Sequence, residues 1–430
     1  MDQIIINGGT PLSGSIEVSG MKNGALPILF ATILVEEKCI IENLPNISDV
    51  TYTLEMLHHM GADVKMLDKS SVEINTKNIR WGSAPFDLAR NMRASYYILG
   101  AELGRFKKSK VACPGGCDFG VRPIDQHIKG FEALGANVTL SDGCVHCSLP
   151  EGENLKGTNI YMDIESVGAT INIILAAVKA DGKTIIDNAA REPHIVDLAN
   201  FLNTCGADIA GAGTSVIKIR GVAKLHGATY GIIPDMIEAG TYMIAAAATN
   251  SLLTITNVIP KHLESISAKL EEMGVTITEQ DESVIVDGRC KKNRIKVKTL
   301  PYPGFPTDMN PQMCVLLCLA DGTSTLTEGV WDNRFRYVDQ LYSMGAIIKV
   351  EQKTAIIEGV KALKPAVVKA VDLRAGAAMV IAGLAAPGKT IIEDIHHIER
   401  GYERMVEKLC ACGADISKAK SEEHKAAMSS

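Results

Sequence analysis

Six short polar stretches recur along this 430-residue chain, and three of them carry a cation where a helix cap is expected. They are Lys22-Asn23, Arg93-Ala94-Ser95, Ser166-Val167-Gly168, Asp235, Thr307-Asp308 and Asp372-Leu373-Arg374, spaced 66 to 73 residues apart, each ahead of an apolar run. A helix starting there exposes unpaired N–H groups and partial positive charge, which attract anions. Ser166 and Asp235 read as ordinary caps. Lys22, Arg93 and Arg374 have the wrong charge for capping, and that mismatch points to a site for anionic groups. A second chemical candidate is the thiol of Cys117. It lies in Cys113-Pro114-Gly115-Gly116-Cys117-Asp118-Phe119-Gly120-Val121-Arg122-Pro123-Ile124-Asp125-Gln126-His127, where the glycines allow a movable lid. Arg122, five residues on, favours a thiolate, and Asp118 opposes it. Cys39, Cys205, Cys314, Cys318 and Cys410 read instead as small buried hydrophobes.

The elements that must position these groups are written six times. Helix-like stretches end in Gly61-Ala62, Gly135-Ala136, Gly206-Ala207, Gly274-Val275, Gly345-Ala346 and Gly413-Ala414, each followed by a short β-like run, at intervals of 68 to 74 residues. A steady period over the whole chain marks an internal repeat. Glycine stops a helix by taking the left-handed conformation without penalty. Each unit reads as an Ala/Ile/Leu-rich helix, a β-branched run, a polar loop, a second helix, the glycine stop and another strand. Helices apolar on all sides should be buried. The expected class is therefore α/β, built of α+β repeats with helices inside and sheets outside. Were the six units grouped into two pseudo-threefold bodies facing each other, their polar helix starts would converge on one cleft.

Bulk properties narrow the function. Hydrophobic residues make up 46% and charged residues 22%, enough for a sizeable core. A net charge of −6 argues against a nucleic-acid surface, so an anion site must concentrate its cations locally. The start of the chain lacks the pattern of a signal peptide, and the apolar stretch Ala375–Ala386 is too short to cross a bilayer. Eleven irregularly spaced cysteines fit a reducing compartment, and a cytoplasmic location without membrane attachment is expected. Cys144 and Cys147 form one CxxC without a second pair, which reads as strand or turn thiols. His127, His396 and His397 read as structural or solvent-facing. Neither a metal-ligand set nor a Walker loop is found, so neither cofactor nor metal is expected.

The Cys117 stretch resembles the active-site loop of the enolpyruvyl transferases that act on UDP-N-acetylglucosamine. Gly20-Met21-Lys22-Asn23, Met92-Arg93-Ala94-Ser95, Ser166-Val167-Gly168-Ala169-Thr170, Phe305-Pro306-Thr307-Asp308-Met309, Asn333-Arg334-Phe335, Asp372-Leu373-Arg374-Ala375 and Glu399-Arg400-Gly401-Tyr402-Glu403 match that family in the same order. The resemblance runs from about Asn7 to Ile416. It implies an inside-out α/β barrel of two three-repeat domains, 22–233 and 1–21 with 234–418, with the active site between them and a polar tail over 419–430.

The resemblance also implies a chemistry: the enolpyruvyl group of phosphoenolpyruvate passes to the 3-hydroxyl of UDP-N-acetylglucosamine and phosphate leaves, opening peptidoglycan synthesis. Lys22, Arg122 and Arg400 resemble the residues that hold the phosphate. Arg93, Arg334 and Arg374 resemble the other cations around phosphoenolpyruvate, the last two nearest its carboxylate. Arginine suits such oxygens because its planar fork binds them bidentately and stays charged. Cys117 resembles the thiol tied to proton delivery at C3, to a covalent adduct and to product release, and alkylated by fosfomycin. Asp308 is implied as base for the sugar hydroxyl, Asp372 as its proton-handling partner and Asn23 as a contact to the intermediate. Arg122, Pro123, Ile124, Asp125 and Gln126, with Ser166, Val167, Gly168 and Val330, resemble the uridine-nucleotide contacts. Ile164 departs from relatives that carry lysine there, which puts one diphosphate contact in doubt. Two rival readings exist: transfer to shikimate 3-phosphate, and a catalytically silent paralogue that binds nucleotide sugar and regulates a partner. The Pro-Gly-Gly-Cys loop disfavours the first, and the intact Cys117, Asp308 and cations disfavour the second.

Overall fold

The computed structural model describes residues 2–113 and 124–420. The chain forms two compact units, Gly20–Ile233 and the combination of Met1–Ser19 with Pro234–Ser430. Cys117, Arg122 and Pro123 lie outside the described residues. Six separate sheets are present among the described residues, five of four strands and one of three, and none closes on itself.

Each repeat follows the same local logic. In one copy, Asn159–Tyr161 leads through helix Val167–Ala177 to Lys183–Asp187, then helix Pro193–Thr204 leads to the hairpin Asp208–Ala210 and Val216–Arg220. The first two strands pair in parallel, Ile186 opposite Ile160, because a helix separates them. The hairpin closes antiparallel, with Ile217 opposite Ile186 and Ile219 opposite Thr184. Along these strands Thr184, Ile186, Ile217 and Ile219 are buried while Lys183, Lys218 and Arg220 are exposed, the period of two that gives a sheet one buried face. All six glycine stops, Gly61, Gly135, Gly206, Gly274, Gly345 and Gly413, have positive φ between 81° and 107°.

Distant strands complete two kinds of sheet. In the Gly20–Ile233 unit, Thr229–Gly231 pairs in parallel with Lys38–Glu42, so the unit's last strand finishes its first sheet. In the other unit, Ser13–Glu17 pairs with Leu252–Thr256, and Asp2–Gly8 lies between Gly388–Glu393 and Asp415–Lys420. This pairing explains why the N-terminal stretch belongs with residues beyond Pro234. Asp2 pairs with Lys420 and Gln3 with Ala419, so the final strand runs two residues into the stretch read from sequence as a tail.

Six inner helices fill the two cores: Lys22–Ala31, Tyr97–Phe106 and Val167–Ala177 in one unit, and Met236–Ala248, Asn310–Leu317 and Leu373–Ala385 in the other. All thirteen residues of Met236–Ala248 are buried. Small residues permit this density. A Cβ on Gly100 would fall 2.4 Å from the carbonyl oxygen of Asn172, so the second and third inner helices touch backbone to backbone. None of the helices among the described residues is long and apolar enough to cross a membrane.

Candidate active site

The inner-helix starts place the polar stretches singled out in the sequence, and each unit handles them differently. In the unit containing Pro234 onward, Asp372 caps the helix Leu373–Ala385 by accepting hydrogen bonds from the backbone N–H groups of Arg374 at 2.8 Å and Ala375 at 3.0 Å. That cap fixes the backbone from which Arg374 reaches back to Asp308. Arg374 Nε donates to Asp308 Oδ2 at 3.1 Å, and Nη2 lies 3.0 Å from the same oxygen. Arg334 Nη2 approaches Asp308 Oδ1 at 3.7 Å, while its Nε donates to the Thr307 carbonyl at 3.3 Å. Both arginine side chains are almost fully buried, whereas the Asp308 side chain is 33% exposed.

Asp308 is therefore the open face of a buried cation pair. It sits in the single 3-10 turn Thr307–Met309 ahead of the fifth inner helix, and neither element carries a side-chain cap bond. Burial alone would lower the affinity of Arg374 for its proton. Asp308, Tyr402 and Asp235 together outweigh that, and the pKa of Arg374 is raised. Arg374 also stacks over Tyr402, 5.4 Å from ring centre to Cζ, and its buried Nη1 finds no hydrogen-bond partner among the described residues. Tyr402 is held in turn by Thr241 at 2.9 Å and Gln312 at 3.2 Å. Arg400 follows the short helix His396–Glu399 as its half-buried C-cap. Burial, His396 and Arg400 together lower the pKa of His397.

Sequence reasoning missed Glu328 entirely. Its carboxylate is 1% exposed and accepts five hydrogen bonds. Oε1 receives Thr299 Oγ1 at 2.7 Å and the backbone N–H groups of Val330 at 2.9 Å and Trp331 at 3.2 Å. Oε2 receives Thr307 Oγ1 at 3.1 Å and Asn310 Nδ2 at 2.9 Å. One acid in a Thr-Glu-Gly stretch gives no sequence signal of this kind.

In the Gly20–Ile233 unit, Lys22 opens the first inner helix and its Nζ lies 2.7 Å from Asp49 Oδ2, both side chains largely buried. Asn23 beside it is half-buried. Arg93 begins the 3-10 turn Arg93–Tyr96 ahead of the second inner helix, with its Cζ 6.0 Å from the Tyr96 ring centre. Ser166 caps the third inner helix through a long 3.4 Å contact from Ala169 N–H, leaving Val167 and Gly168 half-buried at the helix start. Asp125 and Gln126 open the helix Asp125–Ala133 directly after Ile124. Gln126 spends its side chain within the protein: Nε2 donates to Asp125 at 2.8 Å and Asp163 at 3.1 Å, and Oε1 accepts from Asp163 N–H at 2.9 Å. This bracing joins the 125 and 163 segments beside Ser166.

His127 is structural. Asn172 Oδ1 accepts from Gly100 N–H at 2.9 Å, so its amide nitrogen must donate to His127 Nδ1, also at 2.9 Å. The proton then resides on Nε2. Burial, followed by the charge of Arg93, pushes the His127 pKa down to about 4 against the opposing pull of Asp125. The ring is neutral at pH 7.

The other cysteines divide as their surroundings dictate. Cys39, Cys205, Cys314 and Cys318 are buried, but Cys410, expected to be buried, is exposed and donates to the Ile416 carbonyl at 3.0 Å. Cys144 and Cys147 lie on one strand, and burial pushes the Cys147 thiol up to about 12, the reverse of what a metal-binding thiolate needs. No cluster of three potential metal ligands occurs among the described residues.

The family model described as EPSP synthase (3-phosphoshikimate 1-carboxyvinyltransferase) matches residues 6–409. The chain is 54% identical over 417 residues to the UDP-N-acetylglucosamine 1-carboxyvinyltransferase of Clostridium botulinum, covering 97% of this chain and 99% of that one. It is 49% identical to UDP-N-acetylglucosamine 1-carboxyvinyltransferase 2 of Bacillus cereus, covering 97% and 96%. Among solved structures, the enolpyruvyl transferase NikO from Streptomyces tendae aligns with a TM-score of 0.86 at 24% identity, over 98% of this chain and 99% of that one. EPSP synthase from Acinetobacter baumannii aligns with a TM-score of 0.76 at 19% identity, over 98% and 100%. At those identities the structural likeness establishes the fold.

Proposed function

The chain belongs to the EPSP synthase family, and from that premise we propose that it is a UDP-N-acetylglucosamine 1-carboxyvinyltransferase. It transfers the enolpyruvyl group of phosphoenolpyruvate to the 3-hydroxyl of UDP-N-acetylglucosamine and releases phosphate. The relatives at 49% to 54% identity carry the choice of acceptor, since they are named for the nucleotide sugar. The geometry that carries the chemistry is one partly exposed carboxylate, Asp308, between two buried guanidinium groups.

In the reaction, the sugar hydroxyl loses its proton and its oxygen bonds to C2 of phosphoenolpyruvate while C3 gains a proton. The C2–O bond to phosphate then breaks as C3 gives a proton up. Asp308 is assigned as the base for the first step. At rest the Asp308 carboxylate is engaged by both guanidinium groups. An incoming carboxylate that draws on Arg334 and Arg374, including the unpartnered Nη1 of Arg374, would release Asp308 to accept the proton. Substrate binding and base activation would thus be one event. Asp372 serves this arrangement through its cap, which orients Arg374. Lys22 and Arg400 are assigned to phosphate, Arg93 to phosphoenolpyruvate, and Asn23 to the intermediate. Asp125, Gln126, Ser166, Val167, Gly168 and Val330 are assigned to the nucleotide. Because Gln126 uses its side chain internally, its contribution to the nucleotide would come from the backbone N–H in the first turn of its helix.

The assignments of Cys117, Arg122 and Pro123 rest on the sequence motif. Cys117 is assigned to proton delivery at C3, and the protein is expected to lose activity on incubation with fosfomycin. Normal turnover after prolonged exposure to excess drug would count against that role. A cytoplasmic location is assigned on the cysteine pattern, which fits a reducing compartment.

The deciding experiment measures phosphate release from phosphoenolpyruvate with UDP-N-acetylglucosamine, beside a parallel reaction with shikimate 3-phosphate. Release with the nucleotide sugar alone supports both acceptor and reaction. Release with shikimate phosphate alone keeps the reaction and overturns the acceptor. Nucleotide-sugar binding without any release identifies the silent paralogue.

A further inference from the structure

We propose that Glu328 is a positioning residue that joins the Val330–Trp331 turn to the segment bearing Asp308, so that nucleotide engagement and placement of the base depend on each other. This rests on the roles assigned above to Val330 and Asp308. The two oxygens of Glu328 face different functional segments. Oε1 holds the backbone of the turn through Val330 and Trp331, and Oε2 holds Thr307 and Asn310, the residues on either side of the Asp308-Met309 pair.

A side chain buried merely to fill space would not be an acid. Removing a carboxylate from water is costly unless donors replace the lost hydration. Here five donors replace it, all of them neutral, so the group is satisfied by dipoles aimed at it from three chain segments. The brace extends outward on both sides. Thr299 Oγ1, which donates to Glu328, also accepts from Gly329 N–H at 2.9 Å, locking the approach to the turn. Asn310, which donates to Oε2, accepts from the buried Tyr337 hydroxyl at 2.6 Å. The Thr307 carbonyl receives Arg334 Nε, so the segment held by Oε2 also orients a cation next to Asp308. Displacement of the turn by a ligand is therefore transmitted through one rigid carboxylate to the base and to one of its two arginines.

Glutamine has the shape of glutamate but turns one end into a donor, so Glu328→Gln must oppose its NH2 to either the turn amides or Asn310. Two measurements test the proposal on the full chain: titration calorimetry with UDP-N-acetylglucosamine, and kcat from phosphate release. Glu328→Gln is expected to weaken nucleotide binding and lower kcat by about tenfold each, the scale of a hydrogen bond to a charged group. Thr307→Val removes one bond on the Asp308 side and leaves both turn bonds intact. It is expected to weaken nucleotide binding about threefold even though nothing in the turn has changed. Wild-type nucleotide affinity in Thr307→Val overturns the coupling, and does so even if Glu328→Gln fails to fold. A folded Glu328→Gln protein with unchanged affinity and kcat overturns it as well. Absence of binding and turnover in the wild type would instead overturn the functional reading, and this inference with it.

Discussion

Asp308 with its arginines and His127 with Asn172 are both polar networks anchored on inner helices, yet they are satisfied in opposite ways. Around Asp308 a partly exposed carboxylate meets two buried guanidinium groups, so every member of the network is a charged group. Around His127 the hydrogen-bond partner is a neutral amide, and burial, reinforced by the charge of Arg93, keeps the imidazole uncharged. A buried network satisfied by neutral hydrogen bonds has no unmet demand for a ligand and reads as architecture. One built of charged groups around a partly exposed carboxylate can exchange those pairings for a charged ligand. Lys22 and Asp49 stand between these cases as a charged pair that is largely buried. The difference separates site from scaffold by charge and exposure together rather than by burial alone.

Asp308 should be the most sensitive position. Asp308→Asn should lower kcat by about a thousandfold, within the range for loss of a general base. Phosphate-release assays would show this, and a change below tenfold would remove Asp308 from the proton transfer. Arg374→Lys retains the charge but loses the planar fork that makes two contacts to Asp308, and should lower kcat/KM for phosphoenolpyruvate by about a hundredfold. An equal effect on the nucleotide sugar would argue that Arg374 supports the fold and not that substrate.

On the neutral side the effects should fall on stability. Gly100→Ala would drive a methyl group into the Asn172 backbone and disturb the bond from Gly100 N–H to its side chain, at a cost of about 2–3 kcal/mol. Urea denaturation measures it, and an unchanged midpoint would mean that the second and third inner helices are less tightly apposed. The smallest effect at neutral pH concerns His127. Above pH 6.5 its ring is neutral both folded and unfolded. Between 6.5 and about 4 the unfolded chain takes up a proton that the folded chain refuses, so stability declines as pH falls through that window. The loss should reach at most about 3 kcal/mol at the acid end, and His127→Gln should flatten it. Glu102 and Asp197, raised by burial to about 7 and about 6, pull the other way: their contribution is present at low pH and disappears as pH rises through those values. Both remain in the variant, so the difference between the two profiles isolates His127. Identical slopes would show that the ring is not held neutral.

Legibility in the sequence depended on whether a residue's role was local. The glycine stops were readable because a left-handed helix end is a property of one residue and its neighbours, and all six adopt it. Ser166, Asp235 and Asp372 do cap helices, since a cap reaches only two or three residues along the chain. Asp308 also sits at a helix start, but its carboxylate meets Arg334 and Arg374, which lie 26 and 66 residues further along the chain. Cys410 is exposed rather than buried: an apolar context along the chain does not say which side of its helix faces water.

The amino-acid sequence by itself determined the six-unit plan, the buried helices and the residue types available for anion chemistry, because periodicity, glycine conformation and side-chain charge are written residue by residue. Only tertiary structure decided that Asp2–Gly8 completes a sheet with strands nearly four hundred residues away. It also decided that Arg374 and Arg334 converge on one carboxylate, that His127 is neutral, and that Glu328 spans two segments. Each of these is settled by which distant groups become neighbours after water is excluded. At that point hydrogen bonds and charges act over a few ångströms, and separation along the chain no longer matters.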